Sequence, residues 1–136
     1  IATDIDTDAL AKARKGIYPQ EQVRKLDEAR VKRFFQKGTG NHIGLARVRP
    51  EVSALVEFMP LNLLAPQWPI KGPFDAIFCR NVMIYFDKET QAKILKRFAP
   101  LMKQDGLLFA GHSENFSYIS DAFKLRGQTV YTLANK

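Results

Sequence analysis

The stretch Pro73–Phe86 constrains the fold more than any other part of the chain. A Gly72-Pro73 turn leads into the short apolar run Ala76-Ile77-Phe78-Cys79, which stops abruptly at Arg80-Asn81. A second apolar run ends in Tyr85-Phe86, and Asp87 then stands where a helix cap belongs, ahead of Ile94, Leu95, Phe98, Leu101 and Met102 at helical spacing. Strand, polar end and amphipathic helix together form the unit of an open parallel sheet, where ligands sit outside the carboxyl ends of the strands. Packing gives a buried strand no reason to finish in a guanidinium and an amide, so this end is read as facing a ligand. Leu107-Leu108-Phe109-Ala110 repeats the pattern. It is wholly apolar and ends at Gly111-His112-Ser113-Glu114-Asn115.

A chain of 136 residues, 46% of them hydrophobic, is long enough for one domain with a real core. No window of eighteen consecutive apolar residues is present to span a membrane, and the start shows no basic-then-apolar leader. The single cysteine, Cys79, cannot form an internal disulfide or a thiolate metal cluster, and a reducing cytoplasm is the expected setting. Residue 1 is Ile, and Ile1-Ala2-Thr3 resembles the tail of a buried strand, so the chain reads as a fragment whose upstream part is missing.

The net charge of +7 is unevenly placed: residues 12–49 hold eleven Lys/Arg against three Asp/Glu. Such a segment speeds encounter with an acidic partner. Nucleic acid is the usual first candidate, but zinc-finger spacing, an RNP-type aromatic strand and a glycine-rich nucleic-acid loop are all lacking, and an acidic protein surface explains the charge equally well.

Taken in order, Ile1–Thr3 is a strand end, Asp4-Ile5-Asp6 an acidic loop, and the next helix runs through Leu10 to Gly16, capped by Asp6 or Thr7. Ile17-Tyr18-Pro19 is read as a break, and Gln20–Leu26 and Asp27–Gln36 as helices. The Gly38-Thr39-Gly40-Asn41 turn and two short strands, Leu45–Arg49 and Ala54–Phe58, suggest a small antiparallel flap whose exposed edges could take up an extended peptide or simply be solvated. Pro100 should interrupt its helix. Phe123–Arg126 and Thr129–Leu133 are the last strands, paired as an antiparallel hairpin across Gly127-Gln128.

Polar residues at strand ends, Asp4, Arg80-Asn81 and His112-Ser113-Glu114, together with Asn62 in an apolar loop, would share one side of a parallel sheet. An acid for ribose, amides and an arginine suit a nucleoside-type cofactor, although from their own stretch alone Asp4 and Asp6 read better as turn and capping residues. Other chemistries fit less well. Cys79 lies within an apolar strand and has no base beside it in sequence. His112, Ser113 and Glu114 are adjacent and cannot point at one another as a triad must. His42 and His112 stand in unrelated contexts, so no metal site is expected.

Ala2-Thr3-Asp4-Ile5-Asp6, Phe74–Phe86 and Asp105–Glu114 together resemble the CheR family, chemotaxis receptor glutamate O-methyltransferases that use S-adenosylmethionine. The resemblance covers essentially the whole chain. It implies an α/β fold, the Rossmann-like sheet of class I methyltransferases with a terminal antiparallel hairpin and a small β-subdomain inserted at about residues 37–56. It also implies a catalytic domain lacking the family's N-terminal helical domain, first strand and glycine loop, with a gap where the first strand would lie between the second and fourth. Cofactor contacts carry over to Asp4, Asn62, Leu63, Arg80 and Asn81, and Tyr85 falls beside the transferring methyl group. Receptor-tail peptide binding carries over to Gly38 and Gly40, with Arg47 and Arg49 on the neighbouring strand. The implied partners are methyl-accepting receptors, through acidic helices and a C-terminal peptide. The alternative is a catalytically inactive fragment that acts only as a binding module for that peptide.

Overall fold

The computed structural model describes residues 1–134. The chain divides into two compact units, Ile1–Trp68 and Pro69–Lys136.

The first unit begins with strand β1 (Ala2–Asp4) and helix α1 (Thr7–Lys15). Asp6 caps α1, its carboxylate accepting from the Asp8 and Ala9 amides, and Gly16 closes it in the left-handed region at φ 63°. Strand β2 (Ile17–Pro19), helical turn α2 (Gln20–Val23), helix α3 (Glu28–Phe34), strands β3 (Phe35–Lys37) and β4 (Leu45–Val48), helical turn α4 (Pro50–Ser53) and strand β5 (Phe58–Pro60) complete it. Two separate sheets result. β1 pairs in parallel with β5, Asp4 opposite Pro60. β2, β4 and β3 form an antiparallel sheet in that order. Leu10 of α1 is buried, and Arg14 donates to the Phe58 carbonyl of β5 at 3.0 Å.

Several expectations need correcting in this unit. Ile17-Tyr18-Pro19 is a strand rather than a break. A β-branched and an aromatic residue suit a ladder, and Pro19 is tolerated because β2 lies at an edge. The helix ends at Phe34, and Gln36 pairs with Arg47 instead of continuing it. Ala54–Phe58 does not form a strand: Pro50 opens a helical turn, and the ladder starts only at Phe58. Leu45–Val48 is the central strand, bonded on both sides, so the free edges belong to β2 and β3. The antiparallel sheet thus draws on residues upstream of 37.

The second unit holds strand β6 (Phe74–Cys79), helix α5 (Lys88–Phe98) and strands β7 (Met102–Ala110), β8 (Phe123–Gly127) and β9 (Val130–Leu133). The sheet order is β6-β7-β9-β8. β6 and β7 are parallel, and β9 is antiparallel to both neighbours. Asp87 caps α5 by accepting from the Thr90 amide at 2.7 Å. Hydrogen bonding from Thr90, by its side chain first and its amide second, holds the Asp87 carboxyl below its usual range. α5 stops at Phe98, and Pro100 lies in a 3₁₀ turn at its end, as a residue lacking an N–H requires. Ile94, Leu95 and Phe98 of α5 are buried, as are Leu108 and Ala110 of β7 and Tyr131 of β9. Tyr131 packs against Phe116, and its hydroxyl accepts from the Phe116 amide at 3.0 Å.

Candidate functional site

In the first unit, Asp4 ends β1 and Asn62 follows β5 by two residues. Because β1 and β5 are parallel, both lie at the carboxyl end of the same pair of strands. The Leu61 amide donates to the Asp4 carbonyl at 3.0 Å and ties these ends together. Asp4 Oδ1 accepts from the Asp6 amide at 3.0 Å, and Asn62 Oδ1 from the Leu64 amide at 2.9 Å. Each polar side chain therefore braces its own turn, as short polar residues do. Both remain exposed, and Asp4 Oδ2 keeps its acceptor capacity among the described residues. Leu63 is half-buried, and its carbonyl accepts from the Trp68 indole at 3.3 Å.

In the second unit, Arg80 and Asn81 leave the carboxyl end of β6 beside Gly111 at the end of β7. Asn81 takes a left-handed backbone at φ 60°, which asparagine tolerates better than most residues. A Cβ on Gly111 would overlap Asn81 Oδ1, so the loop after β7 approaches that closely only without a side chain. Met83–Tyr85 forms one 3₁₀ turn. Met83 is buried and anchors the turn, while Tyr85 is 81% exposed. Arg80 and the Tyr85 hydroxyl have no hydrogen-bond partner among the described residues.

Glu114 is the group here whose placement the sequence did not indicate. It is 8% exposed. Oε1 accepts from the Asn81 and Gly111 amides, both at 2.8 Å, and Oε2 from the Met83 amide at 2.9 Å. On the far side of the turn, Gln91 of α5 donates to the Met83 and Phe86 carbonyls, both at 2.8 Å. Its neighbours His112 and Ser113 are exposed. Nothing in Gly111-His112-Ser113-Glu114 marks which polar residue turns inward; the nearest signal is a carboxylate three residues beyond a strand-end glycine. Cys79 is buried at the end of β6, and burial, with the negative charge of Glu114 second, pushes its thiol up to about 12. It is no nucleophile at neutral pH.

The antiparallel sheet of the first unit borders two cavities. One of about 360 Å³ is lined by Ile17, Lys37, Gly38, His42 and Arg47 among others. Another of about 460 Å³ is lined by Arg24, Lys32, Phe35, Lys37 and Arg49 among others. Gly38 and Arg47 therefore share a cavity, Arg49 faces the other, and Gly40 lines neither. Arg47 donates to Gln36 Oε1 at 2.7 Å and Arg49 to the Lys32 carbonyl at 3.3 Å. The Gly38 amide donates a hydrogen bond to the Leu45 carbonyl at 2.9 Å, and a Cβ there would run into the His42 backbone.

Residues 1–132 match the family model described as CheR methyltransferase, SAM binding domain. The chain belongs to the CheR methyltransferase family. Its fold is accordingly that of the class I methyltransferases, and its cofactor is S-adenosylmethionine. Chemotaxis protein methyltransferases are close in sequence. That of Escherichia coli (strain K12) is 62% identical over 133 residues, covering 98% of this chain and 46% of the relative. That of Klebsiella aerogenes is 63% identical over 135 residues, covering 99% and 47%. Chemotaxis protein methyltransferase 2 of Pseudomonas aeruginosa is 52% identical, covering 98% and 48%. The chain spans about half the length of these curated relatives. The residues present suit the cofactor chemically. Asp4 offers a carboxylate and Asn62 an amide at the end of one parallel strand pair, and Arg80 offers an exposed guanidinium at the end of another. Among the described residues, no helix is long and apolar enough to cross a membrane.

Proposed function

We propose that this CheR domain methylates glutamate side-chain carboxylates of chemotaxis receptors in the cytoplasm, giving glutamate methyl esters. One observation carries the reading: exposed polar residues stand at the carboxyl ends of parallel strands, and an exposed tyrosine lies in the 3₁₀ turn that follows one of those strands. The names of the relatives support a role in chemotaxis.

Bound S-adenosylmethionine supplies a methyl group on a positively charged sulfur. The chain's own residues hold and orient. Asp4 accepts hydrogen bonds from ribose hydroxyls, Asn62 and Leu63 border the nucleoside, and Asn81 adds a backbone or amide contact. Arg80 pairs with a carboxylate, of the cofactor or of the substrate. A glutamate side chain is already ionised at neutral pH, so no general base is needed. Tyr85 orients the reacting groups, and the contribution to rate comes from alignment and from keeping water out.

The antiparallel β-sheet and its flanking helical turns form the inserted subdomain, and the basic segment 12–49 favours meeting an acidic receptor surface. A receptor C-terminal peptide docks at a free edge of that sheet, with Gly38 and Gly40 shaping the turn and Arg47 and Arg49 supplying charge. In the sheet of the second unit β6 has one free edge, and a first strand from outside the described residues covers it.

The test is methyl transfer to receptor by the full-length protein, with labelled cofactor. The reading requires label in a base-labile ester that releases methanol. Receptor-peptide binding without any methyl transfer would leave only a binding module.

A further inference from the structure

We propose that Glu114 is a positioning residue for the cofactor: its buried carboxylate sets the backbone of the loop that presents Arg80, Asn81 and Tyr85. The inference rests on the reading of that loop as part of the cofactor site.

The loop from the end of β6 to α5 carries three side chains that face outward, yet it has little packing of its own. Arg80, Asn81, Val82, Ile84 and Tyr85 are all exposed, and Met83 is the one buried residue between Arg80 and Tyr85. Asn81 holds a left-handed φ that most residues avoid. Such a segment needs bonds from outside to keep one shape. Both Glu114 oxygens supply them, to Asn81 and Met83, on either side of Val82. The third bond, to Gly111, fixes the carboxylate against the end of β7. One charged group thus spans the ends of both parallel strands. Gln91 clamps the other end of the same turn through two carbonyls. Glu114 accepts amide hydrogens and Gln91 donates to carbonyls, so the loop's backbone is held by both kinds of polar group.

A carboxylate is suited to this task. Three N–H donors converge on it, and hydrogen bonds to an ionised acceptor are stronger than those to a neutral one. Glutamine keeps the size but offers one oxygen, and its NH₂ group would face an amide hydrogen. The loop would lose at least one anchor and the outward side chains their fixed base.

The experiment uses the full-length protein, with binding of S-adenosylhomocysteine measured by calorimetry and methyl transfer measured alongside. Glu114→Gln should raise the Kd for S-adenosylhomocysteine and the KM for the cofactor by about tenfold or more, and should lower kcat as well, because the same loop presents Tyr85. Glu114→Asp, which restores the charge on a shorter arm, should recover part of the affinity. A merely structural role would lower the folded fraction, and with it kcat, but leave Kd and KM at wild-type values; that result overturns the proposal. Amide hydrogen exchange in the wild-type protein without cofactor gives a second readout that needs no variant. The Asn81 and Met83 amides should exchange at least about tenfold more slowly than the Val82 amide between them, which has no acceptor among the described residues. Equal rates for the three overturn the proposal even if no Glu114 variant folds. Arg80→Ala separates the two levels of inference. If it weakens S-adenosylhomocysteine binding and Glu114→Gln does not, only the positioning role fails. If it leaves affinity unchanged as well, the loop is not a cofactor wall and both readings fail.

Discussion

Phe78 lies flat on Phe109, with ring centroids 4.4 Å apart and planes 5° apart, and yet 70% of Phe78 is exposed. The two rings face each other across the β6–β7 ladder, where Phe78 and Phe109 are register partners. One face and one edge of an apolar strand are left uncovered, which is costly in water. Residues 1–136 expressed alone should bind an apolar dye such as ANS strongly and self-associate, and the full-length protein should do neither. Equal dye binding by both would contradict the proposal that an additional strand covers β6.

Cys79 should be inert to thiol reagents. Its thiol is buried and pushed up to about 12, so the reactive thiolate is scarce at pH 8. The same shift has a pH signature. The unfolded thiol loses its proton near 9.0, whereas the folded one keeps it to about 12. Between these values the folded state holds the extra proton, and this contribution to stability falls as pH rises, by at most about 1.4 kcal/mol per pH unit. Denaturant unfolding of wild type and Cys79→Ala at pH 8, 9 and 10 measures it: the variant's stability should fall less steeply. Labelling of native protein at the rate of a free thiol would contradict the burial.

Much of the second unit was legible because its signals are local. Gly72-Pro73, the Asp87 cap, the spacing of Ile94, Leu95 and Phe98, and the apolar run at Leu107 each mark an element within a few residues. The first unit was less so. β2 and β3 are three residues each, and both owe their conformation to β4, which is not adjacent to either in sequence. A ladder of that kind overrides local propensity, turning Ile17–Pro19 from a break into a strand and Gln36 from helix to sheet. Asp4, Arg80 and Asn81 were readable as site candidates because they are polar groups at apolar strand ends, and Tyr85 only through the family resemblance. Glu114 was legible as part of the polar strand end His112-Ser113-Glu114, but its inward turn was not, because a buried acid is recognisable only from the three amides that converge on it.

Asp4→Ala should weaken S-adenosylhomocysteine binding by about tenfold or more in the full-length protein, because Asp4 Oδ2 is not used by the turn that Oδ1 braces. Losing the bond to the Asp6 amide at an exposed site should cost little stability. Thermal melting beside calorimetry distinguishes the two, and an unchanged affinity would remove Asp4 from the site.

Tyr85→Phe should slow methyl transfer more than it weakens cofactor binding. The side chain is 81% exposed, so the melting temperature should be nearly unchanged. Single-turnover rates at saturating cofactor provide the comparison. Wild-type rates would sink its catalytic role.

Arg47→Ala and Gly38→Ala should weaken binding of a receptor C-terminal peptide while leaving S-adenosylhomocysteine affinity intact. Arg47 lines a cavity of about 360 Å³ beside Gly38, and alanine at Gly38 would push against the His42 backbone and deform the turn. Fluorescence anisotropy of a labelled peptide measures this, and unchanged affinity in both variants would place the peptide elsewhere.

The central claim is that polar residues at the ends of these strands hold an adenosyl cofactor. Calorimetric titration of the full-length protein with S-adenosylhomocysteine tests it most directly, repeated with Asp4→Ala and Arg80→Ala. The account predicts one saturable site whose affinity falls in both variants while their folds are retained. Undiminished affinity in both folded variants would contradict it.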